Sequence, residues 1–165
     1  MTSVDRSEAA PGRRVAALVR HGHFDRPEHQ PSGPSLLPLS ERGRGQARAA
    51  ADAILGQGEA NGLEIDGRIE CSHLLRAWQT ATLIGESLTE RTGRSFSIET
   101  HDQLAERGLG AAANLRFDQI RTLLAADSRL TPPPEGWRRM PEYRLPVPGA
   151  ESLMQAGARA ATRIA

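Results

Sequence analysis

VAALVRHG, residues 15–22, is the stretch from which the rest of the chain can be read. Val15, Ala16, Ala17, Leu18 and Val19 run without a polar break, the pattern of a strand covered on both faces. The run stops at Arg20-His21-Gly22, where a cation and an imidazole stand beside a residue with no Cβ. In an open parallel sheet, ligands gather beyond the carboxyl ends of the strands. Arg20 and His21 therefore read either as an anion-handling site or as a surface pair that follows a strand. Three residues do not choose between the two.

Outward from this run, residues 23–40 hold four prolines and no periodicity, which reads as a long loop leading away from the candidate site. Ser40 can cap a helix over residues 41–56, with Ala47, Ala50, Ala51, Ile54 and Leu55 on one face. Gly43 and Gly45 weaken its first turn, and Gly56 or Gly58 is expected to end it. A brief strand is read at residues 68–71, and a second helix over 76–91 with Leu83, Ile84, Leu88 and Ala77 or Ala81 inward. Residues 96–99 read as a short strand or a loop, and 104–110 as a loop. A third helix is expected over 115–126 with Ile120, Leu123 and Leu124 inward. Residues 131–149 carry six prolines, which excludes helix and central strand and points to a lid or binding loop. Ser152 and Gln155 form a capping box for a last helix that is still running at Ala165. Strands alternating with helices argue an α/β layered fold.

The 165 residues suit one domain over 15–165, preceded by a charged tail over 1–14 that is expected to be flexible. The 21 basic residues against 20 acidic ones give a net charge of +1, with the signs interspersed, so no basic stripe for nucleic acid emerges. All 21 are arginine, which denies the site any catalytic lysine. Cys71 is the single cysteine and reads as a small buried hydrophobe; it rules out an intramolecular disulfide and a cysteine zinc cluster. No apolar run approaches membrane-spanning length, and residues 1–14 lack the apolar middle of a signal peptide, so the expected location is the cytoplasm.

Three features converge chemically: Arg20-His21-Gly22 at a strand end, Ser72-His73-Leu74-Leu75-Arg76 entering a helix, and Glu106 in a loop. A histidine nucleophile flanked by arginine forks and one carboxylic acid is a set suited to phosphoryl transfer. Imidazole attacks phosphorus, guanidiniums neutralise the equatorial oxygens, and the acid protonates the departing oxygen. The arginines supply the positive charge, so neither metal nor cofactor is expected.

The order of these blocks resembles the histidine phosphatase superfamily, also called phosphoglycerate mutase-like. The matching stretches are LVRHG (18–22), LSERGRGQA (39–47), CSHLLRAWQTA (71–81), LAERGLG (104–110) and PVPGAES (146–152). The resemblance implies a three-layer αβα sandwich around a mostly parallel sheet, lacking its C-terminal strand and helix. It implies His21 as the phosphorylated nucleophile, Arg20 and Arg76 as the phosphate clamp, and Glu106 as proton donor and acceptor. His23 and Ser72 are the further candidate substrate contacts; a turn or cap role for Ser72, and an exposed-loop role for His23 and Asp25, remain open alternatives. His73 stands where relatives commonly have proline.

The implied activity is hydrolysis of a phosphate monoester on a small molecule or a phosphoprotein. Mutase-type transfer and a non-catalytic phospho-ligand or protein-binding module are the alternatives. Relatives carry a second pocket histidine on a strand after the helix that follows the Gly-Glu-Ser block, and these 165 residues contain no such segment. Losing one donor of that kind costs on the order of 3 kcal/mol. The expectations are that the sequence is a fragment of a longer enzyme, that it is a natural binding protein, or that a homodimer mate or partner segment completes the sheet.

Overall fold

The computed structural model describes residues 14–26, 28, 29 and 35–164. The tail expected over residues 1–14 lies outside them except for Arg14. The regular elements, in chain order, are α1 (Glu41–Asn61), β1 (Arg68–Cys71), α2 (Leu75–Thr92), β2 (Ser97–Thr100), α3 (Phe117–Ala126) and α4 (Leu153–Ile164). Short 3-10 turns occur at Asp102–Leu104, Gly110–Ala112 and Trp137–Arg139.

The sheet is a parallel pair in which Ile69 faces Ile98 and Glu70 faces Glu99 across the ladder. Successive strand residues point to opposite faces, and the sequence uses both. Ile69 and Ile98 turn to α2, where a Cβ added to Gly85 would lie 3.5 and 3.2 Å from their terminal methyls. Glu70 and Glu99 turn the other way, toward Arg163 of α4, whose Nη2 is 2.6 Å from a Glu70 oxygen. α1 packs on the outside of α2. Two helices, the sheet and a third helix thus form three layers, the expected α/β architecture.

Three apolar clusters are buried among the described residues, the smallest being Leu39, Ala47 and Leu83. Ala51, Ile84 and Leu88 are buried between α1, α2 and the sheet, with Ile54, Leu55, Ile65, Ile69 and Phe96 around them. The second cluster gathers Leu109, Ala112, Ile120, Leu124, Trp137, Leu145 and Ala150. The proline-rich residues 131–149 contribute two buried side chains to this second cluster. Trp137 and Leu145 anchor them against α3, and Tyr143 stacks at a tilt 6.0 Å from Trp137.

Several expectations need correction. Residues 15–19 form no strand: they carry no regular structure, and Val15, Leu18 and Val19 are exposed. A strand is stabilised by its ladder and by the surface it buries, and the described residues offer this run neither. α1 continues past Gly56 and Gly58, because Gly58 is packed under the Leu63 carbonyl and its own carbonyl accepts from the Leu63 amide at 2.9 Å. The stop is Gly62, with φ +60°, a conformation costly for residues with a Cβ. α3 begins at Phe117, two residues late, with the Gln119 side chain accepting from the Arg116 amide. Leu123 is exposed, since the inward line runs through Ile120 and Leu124, four apart. The capping box is present as read: Gln155 N–H donates to Ser152 Oγ at 3.1 Å, and Ser152 N–H to Gln155 Oε1 at 2.9 Å.

Gly43 has a role its helix position hides. Residues 22–23 run directly against the first turn of α1, so a Cβ on Gly22 would overlap the Gly43 carbonyl and one on Gly43 would overlap the His23 backbone. Gly45, one turn-edge away, meets nothing within 4 Å. Substituting alanine at these two neighbours should act in opposite directions. Gly43→Ala loses about 1–3 kcal/mol to overpacking, whereas Gly45→Ala gains about 0.5–1 kcal/mol in helix propensity. Urea unfolding of both variants checks it; equal gains would show that the loop yields freely.

Candidate active site

The close approach of residues 22–23 to α1 brings the candidate nucleophile to the start of α2. Gly22 N–H donates to Thr80 Oγ1 at 3.1 Å, and that hydroxyl donates to the Arg76 carbonyl one turn earlier at 2.8 Å. His23 N–H donates to Gln46 Oε1, and the Leu39 amide donates to Gln79 Oε1, both at 2.8 Å. The loop around His21 is thus tied by its backbone to side chains of both helices.

The His21 ring is fixed at one edge. Its Nδ1 is 2.8 Å from the Gly22 carbonyl, which can only accept, so Nδ1 carries the proton of the neutral ring. Nε2 then presents a lone pair. It lies 3.3 Å from Arg76 Nε, a donor that suits that tautomer.

Arg76 is wholly buried, at 0% exposure. A buried cation is tolerated only with partners for its fork of donors. Nη1 donates to the Ser35 carbonyl at 3.2 Å, and Nη2 to Glu106 Oε2 at 2.7 Å. Glu106 keeps 40% of its side chain exposed. Its carboxylate thus spans from the buried guanidinium to solvent, where a proton could be exchanged.

The Glu106 loop is itself clasped. Arg159 of α4 makes two hydrogen bonds to Glu151, at 2.9 and 2.8 Å, and its Nη1 reaches the carbonyls of Asp102, Gln103 and Ala105. Glu151 also accepts from the Gly108 amide at 2.9 Å. These contacts hold the chain on both sides of Glu106.

Three of the expected residues, His21, Arg76 and Glu106, therefore share one hydrogen-bonded group. Arg20 is exposed beside His21 in the wall of a cavity of about 200 Å3 that also involves Gly22, Gln46, Ala47 and Thr80, and it makes no ion pair among the described residues. His23 is turned to the scaffold: its Nδ1 is 2.8 Å from Ser40 Oγ, the cap of α1. Ser72 is buried, and no side-chain hydrogen bond links it to the group. His73 bridges Thr100 and Asp102 at 3.2 and 3.0 Å. Cys71 is buried, and that burial raises its thiol pKa, in keeping with a small hydrophobe. A cavity of about 500 Å3 lies between α3 and residues 133–139 and shares no residue with the group.

Sequence reasoning missed Phe24. Its ring centroid is 5.4 Å from that of His21, and the Arg76 guanidinium carbon stands 4.7 Å over it. An aromatic in a proline-rich loop carries no signal of that placement. Thr80 was findable, since it lies four residues after Arg76 and so on the same helix face. Among the described residues, one set of possible metal ligands converges, Glu70, Glu99 and His101. The Arg163 guanidinium stands among them, 2.6 Å from Glu70 and 3.2 Å from His101 Nε2.

The clasp makes a pH-dependent prediction. The Arg159 hydrogen bonds, with that from Gly108, hold the Glu151 carboxyl below its ordinary value in the folded chain. Its stabilisation is complete above the unfolded value of about 4.3 and is lost as pH falls through the lower folded value. Arg159→Ala should therefore destabilise most near neutral pH, with the gap to the unsubstituted chain narrowing in acid to what its three carbonyl contacts contribute. Urea unfolding across pH reads this, and a constant gap would overturn it.

The sequence profile of the histidine phosphatase superfamily (branch 1) matches residues 16–165. The structure of a mycobacterial glucosyl-3-phosphoglycerate phosphatase superposes with TM-score 0.61 at 30% identity, over 87% of this chain and 58% of that one. The same enzyme with VO3 gives 0.59 at 31%, over 87% and 62%. TTHB049 from Thermus thermophilus gives 0.54 at 27%, over 88% and 68%. The chain thus spans less than two thirds of the length of these mycobacterial structures. No curated protein sequence matches it significantly. A profile match over nearly the whole chain, on a fold that brings His21, Arg76 and Glu106 together, shows that this chain belongs to the histidine phosphatase superfamily.

Proposed function

We propose that the chain carries the site of a phosphatase that hydrolyses a phosphate monoester through a phosphohistidine on His21. The observation that carries this reading is the tautomer: Nδ1 is tied to the Gly22 carbonyl, and Nε2 faces the buried Arg76 guanidinium. In the first step the Nε2 lone pair forms the N–P bond while the P–O ester bond breaks. Protonated Glu106 gives its proton to the departing oxygen. In the second step water attacks phosphorus, Glu106 takes a proton from it, the N–P bond breaks, and His21 is restored. Arg76, with the exposed Arg20 beside His21, offsets the charge that gathers on the equatorial oxygens.

The 30% identity to a glucosyl-3-phosphoglycerate phosphatase favours a small phosphorylated molecule over a phosphoprotein, and hydrolysis over mutase transfer. A cytoplasmic setting goes with this reading. The exposed apolar run at 15–19 supports a further proposal, that a strand from additional chain or from a second copy pairs with it. Light scattering that shows a monomer at every concentration would remove the second copy.

Turnover of p-nitrophenyl phosphate tests the chemistry. His21→Ala should abolish it with the fold retained, and Glu106→Gln should lower kcat by about 10²- to 10⁴-fold. Vanadate should raise Tm through Arg76. A chain that never turns over yet gains Tm with vanadate would instead be a binding module. One that His21→Ala leaves fully active would end the phosphohistidine reading.

A further inference from the structure

We propose that Phe24 is a positioning residue that holds the Arg76 guanidinium plane, and the His21 ring beside it, through the phosphoryl-transfer cycle. This rests on the reading of His21 and Arg76 given above. A guanidinium donates in its own plane, and His21 Nε2, the Ser35 carbonyl and Glu106 Oε2 all engage the nitrogens of Arg76. Two of these three are reacting groups. Nε2 must leave Arg76 Nε to bond phosphorus, and Glu106 must leave Nη2 as it passes its proton.

During the reaction, then, the clamp loses two of those in-plane restraints while phosphoryl oxygens arrive in their place. The contact with Phe24 is of another kind. The guanidinium carbon lies 4.7 Å over the ring, a face contact that uses no N–H and need not break when the donors are exchanged. The same ring meets His21 edgewise, at 5.4 Å between centroids and 70° between planes. Nucleophile and clamp are therefore registered against one rigid surface. The backbone that presents Phe24 is anchored by the His23 amide bond to Gln46 and by the Ser40 amide bond to the His23 carbonyl at 3.0 Å.

The ring face, rather than its bulk, is what the proposal requires. Phe24→Leu keeps an apolar side chain without a π face; Phe24→Tyr keeps the face. With p-nitrophenyl phosphate as the probe, Phe24→Leu should lower kcat by about 3- to 30-fold, the range of a partly desolvated cation–π contact, with KM little changed. Phe24→Tyr should restore kcat. In parallel, NMR of the Arg76 Nε–H signal in the ligand-free protein reads the plane without catalysis. Its exchange with water should accelerate in Phe24→Leu and not in Phe24→Tyr.

Wild-type kcat in Phe24→Leu, alongside loss of turnover in His21→Ala, would overturn the positioning role and leave the phosphatase reading standing. Should the unsubstituted chain show no turnover, that reading fails, and the Arg76 exchange rate still decides the role of Phe24. Equal exchange in Leu and Tyr variants overturns it.

Discussion

The burial of the Arg76 charge is the constraint on which the site depends. A guanidinium taken fully from water costs several kcal/mol unless its donors are met, and α2 places this one at the floor of the site with no exposure. Among the described residues, His21, the Ser35 carbonyl and Glu106 meet it from separate places in the chain. None is a neighbour in sequence, so the loop after residue 20, the segment before α1 and the loop after β2 are all drawn to one point. The charge balance of the resting site follows, with Glu106 occupying the place that an anionic ligand would contest.

Arginine chemistry extends that scheme to the frame around the site. One Arg159 guanidinium grips a carboxylate with two donors and reaches three backbone carbonyls with a third nitrogen. A lysine ammonium, a compact point charge with three donors, does not cover such a spread of acceptors. The all-arginine composition of the chain thus has a structural use at Arg76, Arg159 and Arg163, where planar guanidiniums reach carboxylates outside their own helices. Arg107 adds a stacked use, 5.7 Å from the Trp137 ring, and burial lowers its pKa.

Elements with a local cause could be read in advance. β1 spans the residues expected from its short alternation, α2 begins and ends within a residue of its reading, and Ser152 and Gln155 cap each other as their spacing requires. Elements whose cause is distant could not. Residues 15–19 look like a buried strand by composition, but pairing is a property of what lies alongside. Gly56 and Gly58 look like helix stops, yet α1 runs on because Leu63 and Ile65 fold back under Gly58. The prolines of 131–149 exclude regular structure without saying that Trp137 and Leu145 would be buried.

Taken alone, the sequence determined the chemical inventory. An apolar run into Arg-His-Gly, a second arginine at a helix start and a lone loop carboxylate pointed to phosphoryl transfer and to a family, because residue type and spacing along one chain are enough to state both. Only the tertiary structure decided which of those residues meet. It joined His21, Arg76 and Glu106, left Arg20 exposed beside them, turned His23 to the cap of α1, and brought in Phe24, which no motif announced. The reason is physical: a side chain's partner is chosen by how backbones approach across a hundred residues, here through two glycines whose missing Cβ atoms let residue 22 lie against residue 43.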